Sequence, residues 1–467
     1  MKTRLLNIWE KLRSTFWFLP ASLTLGAVGL SFALVALDNY FYNRGIPFVG
    51  VIQLNQPAGA RLLLSTVAGS MITVAGVVFS ITIVALSLAA GQYGPRLLRN
   101  FMRDTGNQFV LGTFVATFVY CLLVLRTIRG EITSDPFIPH FSLTFGLVLG
   151  LLSLGVLIYF FHHVSESLLV SNLISDVGKD LDHAIERLFP EKVGSGEGGV
   201  PEEITLPAMC ANEPLLILAR ETGFVQAIDS DGIISSAIEH GILIQVCCRP
   251  GDFVVQGFEL AKCWPAESVD ESFAEELSES AFIIGNVRTT EQDAMFPLNQ
   301  LVEITLKALS PGINDPFTAI SAIRRIGAGL CDLAERQIPS ALRYDDEGQL
   351  RVVAEPVTFE EMAEAAFTNI RMYACSNLGV VRALFESLYS VAQCLRRHDD
   401  AAALVHHASM IWQESERGLR LEQDRQEVEY LHKQFVSILE RHFSELEQPE
   451  PAVQRLPPEQ VPPFSYP

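Results

Sequence analysis

Asp293, Gln300, Asn314 and Asp315 form the strongest polar set in the second half of the chain. Carboxylates and carboxamides grouped in this way can line a ligand pocket. Two of the four have a second role open to them. Pro311 and Gly312 make a turn, Asn314 follows, Asp315 stands where a helix N-cap belongs, and Pro316 takes the first helical position. Ligand binding and turn formation are thus both available to this stretch. Two pairs of adjacent histidines, His162 with His163 and His406 with His407, offer imidazoles for metal binding or for titration near neutral pH. Neighbours on a helix diverge by about 100°, so neither pair is expected to share an ion. HExxH, GxSxG, phosphate-loop and zinc-ribbon spacings do not occur. No catalytic residue, metal or cofactor is assigned, and no enzyme is expected.

A second chemistry resides in a stretch that carries no charge. Residues 65–95 read STVAGSMITVAGVVFSITIVALSLAAGQYGP, about half of them Gly, Ala, Ser or Thr. Ser65, Gly69, Thr73, Gly76, Ser80 and Ala85 recur along the helix and let a neighbouring backbone approach closely. One reading makes this a buried central helix enclosed by the other spans. The other puts it at the axis of a homo-oligomer. There, hydroxyl-bearing walls would hold a narrow water column, and Val77, Val78, Phe79 and Ile83 would form a constriction that gates by dewetting. The two readings are compatible. No Asp, Glu, His or Lys is expected well inside a span, which disfavours a carboxylate proton relay.

Hydropathy and charge define the elements that must carry these residues. A positive mean hydropathy coexists with a formal charge of -20 over 467 residues. Up to His163, eleven Lys and Arg stand against five Asp and Glu; beyond it, 23 stand against 49. A basic membrane half is joined to an acidic half whose net charge disfavours nucleic acid as a partner. Apolar runs at 16–37, 62–90, 108–125 and 141–161 approach or exceed the roughly 20 residues that cross a bilayer as a helix. Lys2, Arg4, Lys11 and Arg13 precede the first run, and Arg96, Arg99 and Arg103 separate the second from the third. The positive-inside rule then places both termini in the cytoplasm of a bacterial-type inner membrane. Eight cysteines form no C-x-x-C pair, and they are expected as packed thiols.

The expected fold is an α-helical membrane domain of four transmembrane helices over 1–164, followed by an α+β cytoplasmic domain. An amphipathic connecting helix over 165–192 keeps Leu169, Leu173, Val177, Leu181, Ile185 and Leu188 at helical spacing. A glycine-rich linker over 193–202 leads to a small β-rich subdomain over 203–267. A helical subdomain covers 268–446, and its last helix, predicted as one element over 401–443, is long enough to pair with a copy of itself. Residues 447–467 read as a disordered tail.

Four stretches, AGVVFSITIVALSLAAGQYGPRLLRNFMRD, GFVQAID, RPGDFV and RTTEQDAMFPLNQLVEITLKALSPGINDPFTA, follow or belong to this plan. Together with the four spans they resemble one family, the bacterial predicted membrane proteins of domain of unknown function 2254. The resemblance runs over nearly the whole chain and implies no activity and no catalytic residue. A local likeness concerns RPGDFVVQGFELAKC, which resembles the closing hairpin of the barrel-sandwich fold of lipoyl domains and efflux adaptors, without a lysine to carry a lipoyl group. The functional expectation is a homo-oligomeric channel or passive ion transport protein, with the second span near the pore axis and the cytoplasmic half as gate or vestibule. The lipid bilayer and ions are its expected partners, and the acidic half would favour cations. The alternative is a membrane-anchored sensor or scaffold that binds a ligand or partner through its cytoplasmic half.

Overall fold

Long uncharged runs cannot leave backbone groups unpaired in a bilayer, so they fold as helices. Four result in the computed structural model, which describes residues 17–44, 56–93, 104–130, 137–167, 169–190 and 208–446. They are α1 (Phe18–Asn43), α2 (Pro57–Tyr93), α3 (Thr105–Leu125) and α4 (His140–Ser167), all long and apolar enough to cross a membrane. The glycine-rich linker, the tail and the basic residues Arg96, Arg99 and Arg103 lie outside the described residues.

The central helix of this unit is α3. It packs on α1, α2 and α4, and 44% of its apolar window is buried against 17% for α2. Gly112 lets α1 come close, since a Cβ there would stand 2.9 Å from Pro20 Cα. The expectation of α2 as a helix enclosed by the other spans is corrected accordingly. α2 packs through one stripe, Ala60, Leu64, Ala68, Met71, Ala75 and Val78.

Carboxylates hold the ends of these helices. Asp38, buried near the end of α1, accepts hydrogen bonds from the backbone N–H groups of Phe141 and Ser142 at 2.9 Å each and from Ser142 Oγ at 2.6 Å. It thereby caps the first turn of α4 from a distant helix. Asp104 caps its own helix α3 through Gly106 N–H at 2.8 Å.

The single connecting helix expected over 165–192 is shorter and separate. α4 ends at Ser167 and α5 runs over Val170–Leu188. The chain divides into two compact units between Asp176 and Val177, inside α5. Within the second unit Val177, Leu181, Ala184 and Ile185 are fully buried, at successive steps of a helical stripe.

The second unit begins with short β-branched and leucine-rich strands. β1 (Leu215–Leu218), β2 (Gly223–Ile228), β3 (Leu243–Val246), β4 (Phe253–Val254) and β5 (Glu259–Trp264) come first, with α6 (Ser230–Glu239) between β2 and β3. α7 (Glu271–Ala281) and β6 (Phe282–Gly285) follow. Two helices, α8 (Met295–Leu309) and α9 (Pro316–Ala334), then precede β7 (Leu342–Tyr344) and β8 (Leu350–Ala354). One sheet has the order β1-β5-β3-β8-β7 and the other β4-β2-β6. The sheets thus draw strands from well beyond residue 267, and β3 pairs with β8 in parallel across about a hundred residues. The likeness to a barrel-sandwich hairpin is overturned here: β4 pairs with β2, whereas β5 lies between β1 and β3 in the other sheet.

The remaining helices are α10 (Phe359–Ala374), α11 (Leu378–Cys394), α12 (His398–Gly418) and α13 (Glu422–Leu446). Phe359, Phe367, Phe385 and Phe435 lie fully buried among them. The helix expected as one element over 401–443 is a hairpin. It breaks after Gly418, whose missing Cβ makes room for the Cys375 carbonyl, and Leu419 turns into the core. α13 then packs on α12 and α11 of its own chain. His406 is exposed and His407 buried, so the two imidazoles diverge as helical phase requires. The His407 ring lies 5.6 Å from that of Phe367, with Glu364 Oε2 3.5 Å from its Nε2.

Two measurements test this packing. Asp38→Ala leaves the part-buried Phe141 N–H and the buried Ser142 N–H and hydroxyl without their acceptor and is expected to cost about 1–3 kcal/mol, with Asp38→Asn recovering part of it. Unfolding of the purified protein in detergent would read the loss, and an unchanged midpoint would remove Asp38 from the scaffold. Burial pushes the His407 imidazole down to about 4 from its ordinary 6.5. The unfolded chain therefore takes up a proton that the folded chain refuses. Stability from the neutral imidazole is full above pH 6.5 and is lost as pH falls to about 4, by at most about 3 kcal/mol. His407→Leu should remove that part of the acid sensitivity, and identical slopes for the two proteins would contradict the assignment.

Candidate functional site

With 37 residues, α2 extends about 55 Å at about 1.5 Å per residue, against a hydrocarbon core of about 30 Å. Helical phase divides it into two faces. Ser65, Gly69, Thr73, Gly76 and Ser80 fall within an arc of about 80°, and all five are exposed. An added Cβ at Gly69 or Gly76 would meet nothing within 4 Å. From Gly69 onward the spacing alternates between four and three residues through Thr73, Gly76, Ser80 and Ile83, which is the rhythm of a close helix seam. Ile83 lies at one edge of this arc, and Phe79 and Val77 lie about 40° beyond its two edges; each is about half exposed.

Val78 and Ala85 do not belong to this face. Val78 points about 180° from the centre of the arc and is 2% exposed, packed with Met71, Ala75, Val110, Phe114 and Phe160. Val78 is therefore withdrawn from the residues expected at a constriction. Ala85 lies half-buried on the same side as Val78.

The hydroxyls of the exposed face have a defined polarity. Ser65 Oγ donates to Leu62 O at 2.9 Å and Thr73 Oγ1 to Gly69 O at 2.8 Å. Thr66 and Ser70, at the margin, donate likewise to Leu62 O and Thr66 O. Each proton returns to the helix's own backbone, so the oxygen lone pairs remain turned outward as acceptors. The face is apolar in composition yet offers oxygen ligation without a charge.

The second set, Asp293, Gln300, Asn314 and Asp315, does not line one pocket. Asp293 sits before α8 and Asn314 after it, on either side of a helix of 15 residues. Asp293 is buried, accepts from Phe296 N–H at 3.0 Å, and pairs with Arg288 at 2.6 Å. Its burial pushes the carboxyl up against the pull of that guanidinium. Gln300 is buried in mid-helix. Asn314 adopts a left-handed φ of 49°. Asp315 accepts from Thr318 N–H at 3.2 Å and Thr318 Oγ1 at 2.6 Å, which makes it the N-cap of α9. Turn and cap formation account for these last two.

Sequence reasoning passed over two carboxylates of the first unit. Asp38 follows the first apolar run directly, and Asp104 precedes the third, where an acidic N-cap is a recognisable start signal. His163 Nε2 lies 2.7 Å from Asp104 Oδ2, and its ring stacks on Tyr159 at 5.3 Å. These residues stand at the edge of a cleft of about 980 Å3 walled by Leu19, Phe109, Leu152 and Val156. His162 instead pairs with Glu166 at 3.3 Å.

Comparison with known proteins agrees with this architecture. The profile of the family described as "Predicted membrane protein (DUF2254)" matches residues 13–390. The chain is 30% identical over 429 residues to the uncharacterized protein Rv1290c of Mycobacterium tuberculosis, covering 91% of this chain and 81% of that one. The uncharacterized protein Mb1321c of Mycobacterium bovis matches to the same extent. No solved structure matches. Four membrane-length helices, a match over most of the length and relatives aligned across nine-tenths of the chain lead to one conclusion: this protein belongs to the DUF2254 family of predicted membrane proteins.

Proposed function

We propose that the protein is a homo-oligomeric channel or passive ion transport protein of a bacterial-type inner membrane, with α2 near the pore axis. The carrying observation is the outward face of α2, where five small or hydroxyl-bearing residues are exposed and the space beside Gly69 and Gly76 is open. α1 and α4 also leave glycines open, at Gly26, Gly29 and Gly155; what α2 adds is three hydroxyl-bearing residues in the same arc, Ser65, Thr73 and Ser80. α1 exposes Leu25 and Phe32, and α4 exposes Leu151, Leu152 and Ile158, side chains suited to lipid. Glycine turned toward lipid gains little dispersion contact. Close approach of a second α2 or a column of water would give the stripe its use.

Outward lone pairs on Ser65 and Thr73 suit partially hydrated cations, and Phe79 with Ile83 supplies an apolar ring that can dewet. On the positive-inside reading of the sequence the second unit would lie in the cytoplasm, where its excess of acidic over basic residues would concentrate cations at the inner mouth. The absence of ionisable groups from the arc fits passive flux without a proton relay.

Reconstitution in planar bilayers under a salt gradient tests this reading, with Gly76→Leu alongside. Discrete, cation-favouring openings whose conductance or frequency falls in the variant are expected. Silence across voltage and tension from protein shown to be folded would overturn the pore and favour the sensor or scaffold.

A further inference from the structure

The second unit holds a cleft of about 620 Å3, within the range that takes small organic molecules. Its position follows from the sheet. β3 and β8 run parallel and end side by side at Val246 and Ala354, and the first turn of α6 lies at the same rim. A crevice at the carboxyl ends of parallel strands is a recurrent place for ligands.

Register supplies the charge. Arg343 of the edge strand β7 stands opposite Val352 of β8, and Val352 stands beside Ile244 of β3. Paired residues share a face of the sheet. Arg343 therefore extends over the apolar face that Val246 and Ala354 continue and against which α6 packs. The guanidinium is half-buried and donates to the carbonyls of Ser340 and Leu342. Among the described residues it has no carboxylate partner. The cleft's other two arginines differ. Arg249 is held by both carboxylate oxygens of Glu361 at 2.7 and 2.8 Å, and Arg187 by Glu291 at 3.6 Å and Thr290 O at 2.6 Å. A partly desolvated cation without an anion is costly, and burial holds Arg343 below the usual arginine value.

We propose that this cleft binds a small organic monoanion, a carboxylate with an apolar body. Its head would pair with Arg343 in the two-pronged manner that suits a guanidinium. Its body would rest on Ile233, Ile234, Val246, Val352 and Ala354. Of the cleft's three arginines, Arg187 and Arg249 are already paired with Glu291, Glu355 and Glu361, which leaves one guanidinium and so suits a single negative charge better than a polyphosphate.

The test uses full-length protein in nonionic detergent and radiolabelled 4-phenylbutyrate as probe, read by equilibrium dialysis against empty micelles. Saturable binding near one per chain is expected, at least tenfold weaker for Arg343→Gln and intermediate for Arg343→Lys. The uncharged analogue 4-phenyl-1-butanol should also bind at least tenfold more weakly. Ile234→Trp, which keeps the arginine and fills the cleft, should abolish binding, and it decides the matter if Arg343→Gln fails to fold. No saturable uptake by the wild type, equal binding of the alcohol, or undiminished binding by the folded variants would each overturn the proposal. The readout is occupancy rather than current, so it stands or falls apart from the pore.

Discussion

A helix end at the edge of hydrocarbon has free backbone groups and little water to satisfy them. In the first unit carboxylates meet that need. Asp38 reaches from α1 to the first turn of α4, and Asp104 serves both the head of α3 and His163 near the end of α4. With its neighbours fixed at both ends, α3 takes the centre of the bundle. Tyr120, buried on α3, adds a hydrogen bond to Ser142 O at 2.9 Å beside the Asp38 cap. α2 is left with one packed face. Its other face owes its character to that arrangement, since a central α2 would have spent its small residues inside its own chain.

Much of this was legible because it is local. Span lengths follow from uncharged runs, and the start of α9 from Asp315 and Pro316 in succession. Local signals fail where a residue's partner lies far along the chain. Nothing near Asp38 announces Phe141 and Ser142, and nothing near Ile244 announces Val352. Phase is the other source of error. Val77, Val78 and Phe79 are adjacent in sequence but spread over about 200° of a helix, so one of them had to face the core. The break after Gly418 escaped notice because charged, helix-favouring residues continue on both sides of it.

Arg343 shows the same limit in a strand. The run Leu342–Tyr344 has three residues and no pattern long enough to assign a face. Only pairing with β8 puts the guanidinium over the apolar side of the sheet. A charge in such a place goes unseen by composition, because the half of the chain that contains it is strongly acidic. Local deficits of anion can thus sit inside a global excess.

The end of α5 joins these separate features. Its residues Val177, Leu181, Ala184 and Ile185 are buried in the second unit, and Asp182 pairs with Arg325 of α9. Gly329 of α9 is needed there, since a Cβ would come within 2.5 Å of Leu181. Arg336, just past α9, donates to Phe189 O at 2.9 Å and lies 3.7 Å from Glu186. Arg187, Leu188 and Phe189 then form one wall of the Arg343 cleft. The same short segment that follows α4 in the chain is thus both clamped to α9 and exposed to the cleft. Displacing it means breaking buried apolar contacts and two arginine contacts together. An anion seated at Arg343 would bear on that wall directly.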